Sequence, residues 1–152
     1  MNTKLLLGDL PLSKINWINL ADFEGLCFNL ARAHLTFNQP IPDFITRNPG
    51  VLESCLASPL QFFGEKDLYP RFVDKLSILF YLMIKNHPFQ NGNKRIAVAT
   101  LFVVLSLNKL WLDTDDLLPY ELAKEVAKSK MEDRNKILKK IANFIMRYTT
   151  RA

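Results

Sequence analysis

The apolar positions of this chain recur mainly at three- and four-residue intervals, the spacing of one face of an α-helix. Between residues 20 and 35 the stripe runs through Phe23, Leu26, Cys27, Leu30, Ala31 and Leu35, with Asn19 placed to cap it. Pro40-Ile41-Pro42 interrupts the pattern, and Asn48-Pro49 has the cap-then-proline order that opens a helix, here a short one ending near Pro59. The stretch from Gln61 to Tyr69 has no helical period and contains Gly64, which predicts a surface loop or small hairpin. A long helix is predicted from Pro70 to about Asn86, apolar at Phe72, Val73, Leu76, Leu79, Phe80 and Met83. The stretch from Asn93 to Asn108 is apolar nearly all round, which predicts a buried central helix. Two amphipathic helices, from about Leu118 to Ser129 and from Glu132 to Arg151, complete the reading. The expected fold is all-α: one domain over residues 1–152, a bundle of about six helices around the central one.

Length and composition permit such a core. A chain of 152 residues buries about 68–70% of the surface it would expose unfolded, so no disulfide or metal staple is needed. With 49% hydrophobic and 23% charged residues, and only 5 Gly and 8 Pro, disordered, collagen-like and low-complexity classes are excluded. The longest apolar stretch, from Ile96 to Leu107, falls short of the roughly 20 residues a membrane span needs. The apolar run at Leu5 to Leu7 is stopped by Asp9 and Pro11, too early for a signal peptide, so a cytoplasmic protein with no membrane segment is expected. Cys27 and Cys55 fit no metal spacing and are expected as small buried side chains in a reducing compartment.

Charge changes the picture only once it is located. The chain carries 20 basic and 15 acidic side chains, a formal net charge of +5. Residues 1–120 hold 11 of each sign, whereas residues 121–152 hold nine bases against four acids. Lys128, Arg134, Lys136, Lys139 and Lys140 form a basic stretch without aromatic interleaving or a DNA-binding spacing. A solvated helix face or an acidic protein partner is therefore expected there, and nucleic acid is not.

The charges that carry chemistry stand in His87-Pro88-Phe89-Gln90-Asn91-Gly92-Asn93-Lys94-Arg95. Pro88 disfavours helical geometry at His87, so the preceding helix ends there. Asn91-Gly92 marks a tight turn, and Asn93 is placed to cap the next helix. Lys94 and Arg95 then sit at a helix N-terminus, whose macrodipole disfavours each by about 0.3–1 kcal/mol. An anion from a ligand reverses the sign, because unpaired backbone N–H groups, the dipole and both cations converge on it. Phosphate is the anion this arrangement suits, unless both side chains simply reach solvent or pair with acids elsewhere. A neutral His87 beside such a phosphate can accept a hydroxyl proton. Phe89 is expected to pack inward and pin the loop.

Residues 87–95 closely resemble the signature of the Fic/Doc family, H-P-F-x-D/E-G-N-(G/K)-R. Lys94, where most Fic proteins have Gly, resembles the death-on-curing (Doc) branch, toxins of bacterial toxin–antitoxin pairs. Arg47-Asn48-Pro49-Gly50-Val51-Leu52-Glu53-Ser54 is similar to the R-x-x-G-L-L-E-S segment of that branch, and with the helix order the resemblance spans roughly residues 40–130. It implies an all-α fold in which the motif loop leads into a central helix. It also implies transfer of part of a nucleoside triphosphate, such as ATP, to a protein hydroxyl. His87 would be the general base, with Gly92, Asn93, Lys94 and Arg95 at the phosphates. In the Doc branch, Lys at this position goes with an altered nucleotide orientation and with phosphate transfer to translation elongation factor Tu. The Gln61 to Tyr69 stretch falls where the family has a flap that docks the target peptide. Control in trans by an antitoxin protein lying across the groove is implied. The family's inhibitory helix pattern fails here, because Leu20 precedes Glu24-Gly25 where Ser or Thr is required.

One position departs from the pattern. Asn91 stands where the family has the acidic ligand for Mg²⁺. Magnesium prefers hard oxygens, usually including one or two carboxylates, and an amide oxygen adds no formal charge. A weakened metal site is expected, unless Asp67 or Glu65 stands in for the missing acid. Two alternatives therefore stand beside the phosphate-transferring toxin. One is an AMP-transferring Fic enzyme, and the other is a catalytically weakened member that binds a nucleotide or a partner.

Overall fold

The computed structural model describes residues 7–8, 12–35 and 39–151. Six α-helices are seen among them, in the expected order. The first, α1, runs over residues 20–34 as an α-helical turn Leu20–Phe23, a π-helical stretch Glu24–Phe28 and an α-helical end Asn29–His34. Asn19 caps it, its side chain accepting from the Asp22 N–H at 2.9 Å. The wide π-helical turn shifts the apolar stripe, so Phe28 faces the core while Leu26, expected there, is 45% exposed.

The second helix, α2 (Val51–Ala57), starts later than the Asn48-Pro49 pair predicts. Gly50, at φ +77°, makes the turn into it, and Asn48 is used elsewhere. The Gln61 to Tyr69 stretch forms the expected surface hairpin, with β1 (Phe62–Phe63) antiparallel to β2 (Lys66–Asp67). The long helix α3 (Phe72–Lys85) follows, its first N–H groups bonded to the carbonyls of Leu7 and Gly8, both at 2.9 Å. The Leu5 to Leu7 run and its stop at Asp9 and Pro11 otherwise lie outside the described residues.

The central helix α4 (Asn93–Leu107) is buried along most of its circumference and packs against α1, α3 and α5 (Leu117–Lys128). Its C-terminal end is held by a reciprocal amide pair. Asn16 N–H donates to Asn108 Oδ1, and Asn108 Nδ2 donates to Asn16 O, both at 2.8 Å. The last helix, α6 (Arg134–Tyr148), covers α3.

The final element was expected to stay helical to Arg151. Instead β4 (Thr149–Arg151) pairs antiparallel with β3 (Leu110–Leu112), Leu112 opposite Thr149. Two β-branched threonines favour extended backbone, and Thr149 Oγ1 donates to Ile145 O at 2.6 Å. Lys109, at φ +60°, turns the chain out of α4 into β3. Neither small sheet alters the all-α class. The buried side chains form one cluster from Leu7 to Ile145. Both cysteines are buried and free. Among the described residues, no helix is long and apolar enough to cross a membrane.

Candidate functional site

The motif loop is built by locking an unfavourable backbone. His87 turns the chain out of α3 with φ +50°, a region non-glycine residues rarely adopt. Three sets of contacts hold it. The Asn48 side chain donates to the His87 carbonyl, and the Asn48 N–H donates to the Pro88 carbonyl at 2.8 Å. The Asn93 amide clasps the Phe89 backbone, accepting its N–H and donating to its carbonyl, both at 2.9 Å. The Phe89 ring, 4% exposed, is packed among Phe23, Phe28 and Phe44 at centroid distances of 6.2, 5.4 and 6.1 Å. Phe89 thus pins the loop from below, as its motif position suggested.

Gly92 makes the turn into α4 at φ +83°, where a Cβ would sit 2.9 Å from Ile41 Cγ1 and 3.3 Å from Arg95 Nη2. Gly92, not Asn93, is therefore the residue before the first helical turn. The expected cap is corrected accordingly: Asn93 lies inside α4 and its side chain is bonded to the Phe89 backbone rather than to the helix N-terminus. The N–H groups that open α4 lack partners within the helix.

These features surround a cavity of about 240 Å³ lined by Gln39, Ile84, His87, Gln90, Asn91, Gly92, Asn93, Lys94, Arg95, Tyr120 and Ala127. Every residue singled out in the motif for chemistry is in that lining. Its volume suits the phosphate end of a ligand, since cavities that enclose a whole drug-sized molecule run to about 300–1,000 Å³. A larger cavity, about 520 Å³ between Leu26, Phe102 and Trp111, contains none of the motif residues.

Both cations of the motif line the cavity. Lys94 lines the cavity and has no acid partner among the described residues. Arg95 is buried, 3% exposed, and its Nη1 donates to the Gln39 carbonyl. Burial pushes the Arg95 pKa down, opposed by the neighbouring Tyr120. His87 is exposed, lines the cavity and makes no side-chain hydrogen bond to a described residue.

Magnesium fares differently. Asn91 Oδ1 turns back to accept the Gly92 N–H at 2.8 Å. Asp67 does not stand in, because its two oxygens hold the buried Lys75 Nζ at 2.8 and 2.7 Å. Neither Asp67 nor Glu65 lines the cavity, and among the described residues no Asp or Glu is in its walls. No cluster of three His, Cys, Asp or Glu side chains suited to a metal occurs among the described residues. The donor set does not fit a protein-held Mg²⁺, which wants carboxylate oxygens.

Four residues of the site carried no such role in the sequence: Asn48, Gln39, Ile41 and Tyr120. Asn48 had a visible signal, a polar residue before Pro49, but one that reads equally as a helix cap. The others reach the site only through tertiary packing.

The sequence model of the Fic/DOC family matches residues 17–105. A protein named Toxin Doc from Mycolicibacterium smegmatis is 35% identical over 69 residues, which cover 45% of this chain and 53% of that protein. The chain thus spans about half the length of the curated relative it matches. No solved structure matches the chain.

Proposed function

We propose that this chain, which belongs to the Fic/DOC family, is a Doc-type toxin that transfers a phosphate from a nucleoside triphosphate to a protein hydroxyl. The observation that carries the reading is the single cavity uniting an open imidazole, His87, with two cations and the N-terminus of α4. The target hydroxyl oxygen attacks the terminal phosphorus while its proton passes to the His87 imidazole. The bond from that phosphorus to the bridging oxygen breaks, and a nucleoside diphosphate leaves. Lys94, Arg95 and the α4 backbone N–H groups stabilise the charge on the phosphoryl oxygens. By family resemblance the target is translation elongation factor Tu and the restraint is an antitoxin protein covering the groove. The hairpin of β1 and β2 would dock the target peptide, with Phe62 and Phe63 exposed on it.

A cavity with no carboxylate among its described lining residues favours a second reading, a member that binds a nucleotide or partner without turnover. Transfer of label from γ-labelled ATP by wild type, lost in His87→Ala, supports the enzyme. Silence in wild type with activity in Asn91→Asp supports the binder. Label that moves from the α-position instead identifies an AMP-transferring enzyme.

A further inference from the structure

The walls of the motif cavity are one-sided in charge. Lys94 and Arg95 supply two cations, Gln90 and Asn91 supply neutral amides, and among the described residues no carboxylate lines the cavity. Asn91 Oδ1 sits where a metal ligand is usual, yet it is engaged with the Gly92 N–H at 2.8 Å. Asp67 is fixed on Lys75 through both oxygens, at 2.8 and 2.7 Å.

Mg²⁺ is retained by anionic oxygens, and a protein site normally gives it one or two carboxylates beside the phosphates. Here a ligand-borne Mg²⁺ would bring further positive charge towards Lys94 and Arg95. It would also cancel the negative charge that draws the phosphates to them and to the helix N-terminus. Resting on the nucleotide reading above, we propose that this cavity takes the phosphates of its nucleotide in metal-free form. They are neutralised by Lys94, Arg95 and the α4 N-terminus rather than by a divalent cation. Magnesium in solution then competes with the protein for the nucleotide instead of bridging the two.

Calorimetric titration of the full chain with a non-hydrolysable ATP analogue, once in EDTA and once in excess Mg²⁺, reads this directly. The expected Kd in EDTA is equal to or tighter than that in Mg²⁺, and Lys94→Ala weakens the EDTA value by about tenfold. Asn91→Asp is expected to invert the order, binding more tightly in Mg²⁺ because it restores a hard anionic ligand. Wild-type binding that is tighter in Mg²⁺ overturns the proposal while leaving the nucleotide reading in place. So does a Lys94→Ala variant that binds like wild type in EDTA. Absence of binding in both buffers, with ATP and GTP analogues alike, removes the nucleotide reading itself. A circular-dichroism melt of each variant separates lost binding from lost fold.

Discussion

His87 combines the chemistry of the site with the least comfortable backbone in it. At φ +50°, any residue with a Cβ is disfavoured by roughly 1–2 kcal/mol relative to glycine. His87→Gly is therefore expected to be more stable than His87→Ala by about 1 kcal/mol, as read by urea unfolding, although neither should transfer phosphate. Equal stability of the two variants would mean that the loop relaxes and that the strain is not held by Asn48, Asn93 and Phe89. Much of this was legible in the sequence at the level of residue type. A base, two cations and a turn glycine stand within nine positions of one another. The partners of that loop were not legible. Asn48 is 39 residues from His87, and Gln39 is 56 from Arg95, so only the packed fold brings them together.

At the scale of elements, hydrophobic spacing located five of the six helices because each buries apolar side chains against the same core, and the Asn48-Pro49 pair signalled the short one. Its failures fall where another force decides the backbone. The π-helical turn in α1 exchanged Leu26 for Phe28, and the threonines after α6 found a strand partner in β3 that no local pattern announces. The hairpin of β1 and β2 was expected from Gly64, but its anchor was not. Lys75 is completely buried on α3 and its ammonium is held by Asp67, a largely covered carboxylate. Removing one partner of such a pair strands the charge of the other, at a cost of about 3–5 kcal/mol, whereas replacing both partners with apolar side chains is far milder. Asp67→Ala should therefore lower the midpoint of denaturant unfolding much more than the double replacement of Asp67→Leu with Lys75→Met does. The opposite order would show that the hairpin is not tethered through this pair.

For the whole molecule, net charge pointed towards the wrong feature. The basic excess lies on α5 and α6, where Lys140 pairs with Glu125 and Lys124 with Glu121, whereas the two cations of the cavity add nothing unusual to the total. Burial also governs the thiols. It pushes the Cys27 pKa up from 9.0 to about 12 and that of Cys55 to about 11. A folded state that holds these groups neutral binds more protons than the unfolded chain above pH 9, so stability falls as pH rises from there towards the folded values. The decline should shrink in Cys27→Ala compared with wild type. Both thiols should also resist a disulfide reagent at pH 8 until the chain is unfolded, and rapid reaction of the native protein would contradict their burial. The central claim concerns transfer, and the most direct measurement incubates the protein with γ-labelled or α-labelled ATP and elongation factor Tu, with and without Mg²⁺. The expected result is label on the factor from the γ-position alone, abolished in His87→Ala while nucleotide binding persists. Transfer that survives His87→Ala, or none from wild type, would contradict it.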